Sequence, residues 1–238
     1  FQRAIDHLDK ASGGTSHHFV ALPILVVLGH IVMPTEGVWQ HLASTVLPRY
    51  LSNTFWLVLW VGLGTLVIGT GTAWLVVMCR FPGKRLFEWA LLLPLAVPTY
   101  VIAYAYTDFL QVAGPLQSLL REWFHWQVGD YYFPNVRSLG GAATLITFVL
   151  YPYVYLLARA SFLEQSVCVL DVGRTLGRGP WRLFASVALP LARPALVGGV
   201  SLVLMETLNE FGAVQFFGVD TFTTGIYRTW FGLGEPIA

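Results

Sequence analysis

The sequence has little charge and almost no cysteine. Charged residues make up 11% of its 238 positions, whereas soluble domains carry about 25%. The two cysteines, Cys79 and Cys168, lie far apart and match no metal-ligand spacing, so we interpret both as free thiols. A net charge of +1, from scattered residues, gives no indication of a nucleic-acid partner. The sequence also lacks the phosphate-loop pattern G-x-x-x-x-G-K-[S/T].

Hydrophobic residues, in contrast, make up 55% of the chain, and its mean hydropathy is +0.63. A membrane span needs about 20 predominantly apolar residues. The sequence therefore predicts an all-α, polytopic transmembrane helical bundle, a single domain over 1–238, with about five spans at 19–34, 53–79, 89–107, 138–158 and 194–217. Pro94 and Pro98 interrupt the third span. Because proline frees backbone carbonyls, they predict either a simple kink or a bend that lines a pathway.

The basic residues predict the orientation, because Lys and Arg of short loops stay in the cytoplasm. Ten of the fourteen precede the first span or follow the second and fourth spans. We therefore expect a cytoplasmic N-terminus, residue 238 outside, and at least one further span. The outer segments 37–54 and 116–126 mix apolar and polar residues at helical spacing. They predict either helices on the membrane surface or a docking surface for an outer partner.

Residues 159–193, here called the connecting segment, are too polar to enter lipid. A helix is expected over 161–176, and the glycines of 177–179 are typical of a helix end. Pro180 suits the first position of a second short helix, which Pro190 and Pro194 should end. Trp181 and Phe184 are expected to be exposed beside arginines, an arrangement typical of a protein-docking site. An ordinary loop is the alternative.

Two carboxylates, Glu206 and Glu210, occur in the last predicted span. Thirteen helical residues beyond Arg193 put Glu206 about 20 Å along the axis, past the middle of a core about 30 Å thick. Glu210 is expected one turn further on the same face, with Asn209 beside it. Since charge is costly in lipid, these residues either line a path for a hard cation or hydrogen-bond within the bundle. No nucleophile, metal cluster or phosphate loop accompanies them, so the chain is not predicted to be an enzyme.

The connecting segment resembles the signature loop of binding-protein-dependent ABC importer permeases. The matching residues are Asp171-Val172-Gly173, where that family has Glu-Ala-Ala, then Gly177 and Val187-Ala188-Leu189-Pro190. The stretches RPAL, LMETLNEFGAV and FGVDTFTTGIYRTWFG resemble the ferric iron (iron(III)) transport group of that family. Members of that group have two homologous halves, and this chain resembles the N-terminal half.

The resemblance implies a type I ABC importer permease fold in a bacterial inner membrane. It implies that the connecting segment couples to an ATPase through Asp171, Gly173, Gly177, Pro180, Trp181, Phe184, Leu189 and Pro190. The implied partners are a cytoplasmic ATP-binding subunit, a periplasmic substrate-binding protein, membrane lipid, and a second permease half on the same chain or on another. The chain itself would bind no cofactor, and its partner would use the ATP.

Ferric iron is the cargo that the resemblance implies, and Glu206, Asn209 and Glu210 would line its path. Thiamine, a polyamine or sulfate are alternative cargos, although carboxylates in the path disfavour an anion such as sulfate. A passive channel or a structural membrane subunit is the alternative class of function.

Overall fold

All regular structure in the described part of the chain is helical. The computed structural model describes residues 46–165 and 179–232. Its helices are α1 Leu47–Met78, α2 Lys84–Ala90, α3 Thr99–Leu110, α4 Pro115–Phe124, α5 Leu139–Glu164, α6 Pro180–Leu183, α7 Leu189–Asn209, α8 Gly212–Phe216 and α9 Phe222–Gly232. A 3-10 turn at Leu93–Ala96 and a π-helical turn at Phe184–Ala188 complete the set. The all-α class predicted from the sequence is confirmed.

Within the described residues, three helical stretches are long and apolar enough to cross a membrane, Leu47–Met78, Leu139–Glu164 and Trp181–Asn209, and a bent pair of helices would make a fourth if it is one span. The first two confirm the spans predicted at 53–79 and 138–158. The span predicted at 19–34 lies outside the described residues, so the count of five stays a prediction. The outer segment 116–126 is helical in α4, whereas residues 47–54 of the other outer segment form the first two turns of α1.

Leu47–Ile226 form one compact unit, and α1 and α5 pack side by side at its centre. Their contact is close because Gly69 of α1 lies directly against α5. A side-chain carbon on Gly69 would stand 2.7 Å from Cβ of Val154 and 2.9 Å from the carbonyl oxygen of Tyr151. Small residues permit this approach of two backbones within a membrane. Helix α7 packs against both helices and buries Val203 and Leu196.

The span predicted at 89–107 is divided into two arms in the structure. The arms Lys84–Ala96 and Thr99–Phe124 meet at an angle of 99°, as in a broken span or a re-entrant loop. Val97 is extended, with φ −118° and ψ 130°, as expected for a residue that precedes a proline. Pro98 then caps the start of α3. The bend predicted at the two prolines is present, and it is far sharper than a kink.

The prediction that Pro190 and Pro194 end one helix and begin the next is wrong. Both lie within the continuous helical stretch Trp181–Asn209. A proline ring crowds the carbonyl four residues back and has no N–H to bond it. The π-helical turn relieves this conflict ahead of Pro190, since the amide of Leu189 donates five residues back, to Phe184. At its other end the helix stops at Asn209, so the span does not continue to residue 217.

Candidate functional site

The connecting segment is described at its two ends, over residues 159–165 and 179–193. The helix predicted over 161–176 is present as far as Glu164, where α5 ends. Asp171, Gly173 and Gly177 lie outside the described residues, as does most of the predicted glycine corner. Pro180 does begin a helix, as the sequence predicts.

Aromatic rings fasten the second end of the connecting segment to the bundle. The ring of Phe184 lies 4.8 Å from that of Trp74 on α1 and 6.4 Å from that of Phe162 on α5, measured between centroids. Trp74 and Phe162 are themselves buried. Phe184 is therefore half-buried in a three-helix contact, and the expectation that it is exposed is wrong.

Trp181 presents the opposite case, because 72% of its surface is exposed. It stands one helical turn before Phe184, and the exposed Arg182 follows it. Leu189 and Pro190, further along the same helix, are half-buried. The contacts of Phe184 therefore fix the end of the helix at which Trp181 and Arg182 are exposed. Exposed tryptophan and arginine side chains are suited to contact with another protein.

The three residues predicted to line a pathway, Glu206, Asn209 and Glu210, lie around the end of α7. Glu206 and Asn209 are exposed, and Asn209 is the last residue of the helix. Glu210 lies beyond the helix end in an extended conformation, with φ −67° and ψ 117°. The expectation that it shares a helical face with Glu206 is wrong, because the helix that this spacing assumes has already ended.

The carboxylate of Glu210 has a local structural partner. Its Oε1 accepts a hydrogen bond of 3.0 Å from the backbone N–H of Ala213 in α8. Amides of the first helical turn have no partner within their helix, so a carboxylate placed there satisfies one of them. Glu210 thus stabilises the interruption between α7 and α8, whereas Glu206 is exposed.

The interruption between α7 and α8 lies against a second interruption, the break at Val97 and Pro98 where α3 begins. A side-chain carbon on Gly212 would stand 3.0 Å from Cβ of Tyr100 and 3.7 Å from Oε1 of Glu210. The rings of Tyr104 and Phe216 lie 4.1 Å apart. Tyr100 and Tyr104 are about half exposed. The sequence analysis missed these tyrosines, whose one signal is their position just after Pro98.

No group of three or more His, Cys, Asp or Glu side chains within 46–165 and 179–232 could hold a metal ion. Cys79, which lies in this part of the chain, is a free thiol.

Comparison with known proteins places the chain among transport components. Residues 65–231 match the family model described as "Binding-protein-dependent transport system inner membrane component". The molybdenum transport system permease protein ModB of Escherichia coli (strain K12) is 34% identical over 183 residues, which cover 77% of this chain and 73% of the relative.

Relatives with other cargos align as well. The Fe(3+)-transport system permease protein FbpB 2 of Haemophilus influenzae is 28% identical over 215 residues, 89% of this chain and 37% of that relative. The sulfate transport system permease protein CysT of Escherichia coli (strain K12) is 28% identical over 208 residues, 85% of this chain and 72% of the relative.

Proposed function

We propose a function from one premise: the chain belongs to the family of binding-protein-dependent transport system inner membrane components. It is an ABC importer permease of the inner membrane, and its relatives are transport subunits. We infer that a separate cytoplasmic subunit hydrolyses the ATP and docks on the connecting segment. A periplasmic substrate-binding protein would deliver the cargo, and a second permease half would complete the pathway.

One observation carries this proposal: Trp181 and Asn209 are the two ends of one continuous helical stretch of 29 residues. At about 1.5 Å per residue, such a stretch is about 40 Å long. A displacement of Trp181, at the end where the ATPase would dock, would therefore be transmitted to Glu206 through continuous helix. The anchoring of Phe184 on Trp74 and Phe162 would share that displacement with α1 and α5.

For the cargo we propose ferric iron. Glu206 and Asn209 offer exposed oxygen ligands on the last turn of α7, and such ligands suit a hard cation. The alignment with the Fe(3+)-transport relative also covers 89% of the chain.

An oxyanion is the second candidate cargo, and two observations favour it. The relative named for molybdenum transport is 34% identical. In addition, the carboxylate of Glu210 is engaged by Ala213, so one free carboxylate remains where the sequence suggested two. This weakens the electrostatic argument against an anion.

The experiment that separates the two cargos is uptake by the complex reconstituted in proteoliposomes with its ATPase and binding protein. Ferric iron, sulfate and molybdate are offered to the wild type, to Glu206→Gln and to the control Glu122→Gln, an exposed carboxylate on α4. If ferric iron is the cargo, Glu206→Gln lowers its uptake about tenfold, because a charged ligand is lost, and the control does not. Uptake of an oxyanion alone, undiminished in Glu206→Gln, would replace ferric iron with the second candidate.

A further inference from the structure

Three polar side chains stand in line on one face of α5, at Tyr151, Tyr155 and Arg159. Their spacing of four residues places them one above another along the helix. We call this set the polar stripe. The residues that precede and follow it on α5 are largely apolar, so the stripe is conspicuous within a predicted membrane span.

All three side chains of the polar stripe reach the same short stretch of chain, α2 and the residue after it. The hydroxyl of Tyr151 donates to the carbonyl oxygen of Leu91 over 2.9 Å. The hydroxyl of Tyr155 donates to the carbonyl oxygen of Glu88 over 3.3 Å. Arg159 Nη2 lies 3.4 Å from Glu88 Oε2 in an ion pair that is about three-quarters buried at Glu88. Three interactions therefore tie α2 to the inner half of α5.

The two tyrosines donate to backbone carbonyls that have lost their helical hydrogen-bond partners. Where α2 gives way to the 3-10 turn, the amides of Leu92 and Leu95 donate three residues back, to Trp89 and Leu92. The carbonyls of Glu88 and Leu91 then receive tyrosine hydroxyls, and a carbonyl away from water needs such a donor. Tyr151 and Tyr155 are buried, at 7% and 0% exposure. Phenylalanine would fill the same space but donate no hydrogen bond.

The position of the stripe in the fold connects two functional elements. Arg159 is the first residue of the connecting segment. Helix α2 belongs to the arm Lys84–Ala96. This arm meets the second arm, Thr99–Phe124, at 99°, and the second arm begins with Thr99 and Tyr100. The polar stripe is therefore a direct contact between the base of the connecting segment and the arm that leads to the meeting point of the two interruptions.

We propose that the polar stripe makes α2 follow the inner end of α5 when an ATPase moves the connecting segment, and so relays that motion to the bend at Pro98. Tyr151, Tyr155 and Arg159 are positioning residues for transport in this account, and Glu88 is their shared partner. The inference rests on the proposed function. It adds a second route of transmission beside the continuous helix Trp181–Asn209.

The test uses the double variant Tyr151→Phe/Tyr155→Phe in the full complex, with Tyr153→Phe as the control. Tyr153 lies on the same helix, between the two tyrosines in sequence and outside their line. The measured quantity is ferric iron transported per ATP hydrolysed in proteoliposomes. We expect the double variant to bind the ATPase and hydrolyse ATP normally, and to transport about tenfold less cargo per ATP. The control keeps the wild-type ratio. A wild-type ratio in the double variant overturns the inference.

A charge exchange tests the ion pair in the same assay. Glu88→Arg and Arg159→Glu each place two like charges together and should lower the ratio, while the exchanged pair Glu88→Arg/Arg159→Glu should recover part of it. A loss of folded complex would lower transport and ATP hydrolysis together and leave their ratio unchanged. Failure of the exchange to improve on both single variants would contradict a role for the pair.

A distance measurement separates this inference from the proposed function, because it needs no cargo. Spin labels at the exposed positions Leu86 and Phe109 report the geometry of the bend. In the wild-type complex we expect their separation to change when ATP binds, and in the double tyrosine variant we expect this change to be lost. Equal changes in both would overturn the inference, while absence of transport by the wild type would overturn the proposed function alone.

Discussion

The side-chain amide of Gln165 donates to the carbonyl oxygen of Ala188 over 3.0 Å, which joins the end of α5 to the π-helical turn before α7. These two residues are separated by 23 positions and enclose six of the eight residues that the family resemblance implies to couple to an ATPase, those from Asp171 to Phe184. The bond therefore closes the base of that segment. A movement applied between them would act on α5 and α7 together.

Loss of this bond should loosen the base of the connecting segment. Gln165→Ala removes one partly buried hydrogen bond, whose net contribution to stability is about 0.5–1.5 kcal/mol. We expect faster hydrogen exchange at residues 189–193 and up to about tenfold weaker ATPase binding. Ser201→Ala is the control, since its hydroxyl bonds only within α7, to Val197. Wild-type exchange in Gln165→Ala would show that the bond does not hold the base.

Trp181 and Phe184, one turn apart, should respond differently to truncation. Trp181→Ala removes an exposed ring, so we expect unchanged thermal stability and much weaker binding of the ATPase. Phe184→Ala removes a ring that contacts Trp74 and Phe162. It should lower stability by about 2 kcal/mol, less than for a fully buried phenylalanine. Melting curves in detergent and a binding titration distinguish the two effects, and equal losses of stability would contradict this assignment.

Gly69 and Gly71 form a matched pair on α1. A side-chain carbon at Gly69 would overlap Val154 and the backbone at Tyr151 and Tyr155, whereas nothing lies within 4 Å of the same point at Gly71. We expect Gly69→Ala to destabilise the bundle by about 1–3 kcal/mol through overpacking. Gly71→Ala should be neutral or stabilising, because alanine favours the helix. Thermal melting of both variants checks this, and similar melting temperatures would refute the close approach of α1 and α5.

The cap on α8 gives a prediction for Glu210. Glutamine keeps an oxygen that can accept from the amide of Ala213, so Glu210→Gln should retain the fold and most of the transport. Glu210→Ala loses the acceptor and should cost about 1 kcal/mol. Transport and thermal stability of the two variants are the measurements. A transport defect in Glu210→Gln as large as that of Glu206→Gln would instead make Glu210 a ligand of the cargo.

The sequence predicts the long spans well because their signal is simple. Residues 53–79 and 138–158 contain no charged residue, and an apolar run of that length without charge is typical of a transmembrane helix. Pro180 as the start of a helix is equally local, since it depends on the fixed φ of proline and its missing N–H.

Some of the features that the sequence does not predict involve tertiary contacts, and others involve a local change in the course of a helix. Just after the bend at Pro98, Tyr100 lies against Gly212, a residue more than a hundred positions away. Pro190 remains inside a helix because a π-helical turn accommodates it. Glu210 leaves the face of Glu206 because α7 ends one residue earlier, and Phe184 is drawn inward by Trp74. Tyr100 and Phe184 thus contact residues distant in sequence, whereas Pro190 and Glu210 depart from the prediction through the local course of their own helix.

The connection between Trp181 and the rest of the membrane unit is central to the proposed function, and its most direct test is ATP-dependent uptake by proteoliposomes that contain the chain, its ATPase and its binding protein. The account predicts that cargo accumulates with ATP, that accumulation stops without ATP or binding protein, and that Trp181→Ala abolishes it while the permease stays folded. Uptake that proceeds equally without ATP would contradict the account and indicate a passive channel. Uptake that is unchanged in Trp181→Ala would contradict the role of Trp181 in the account.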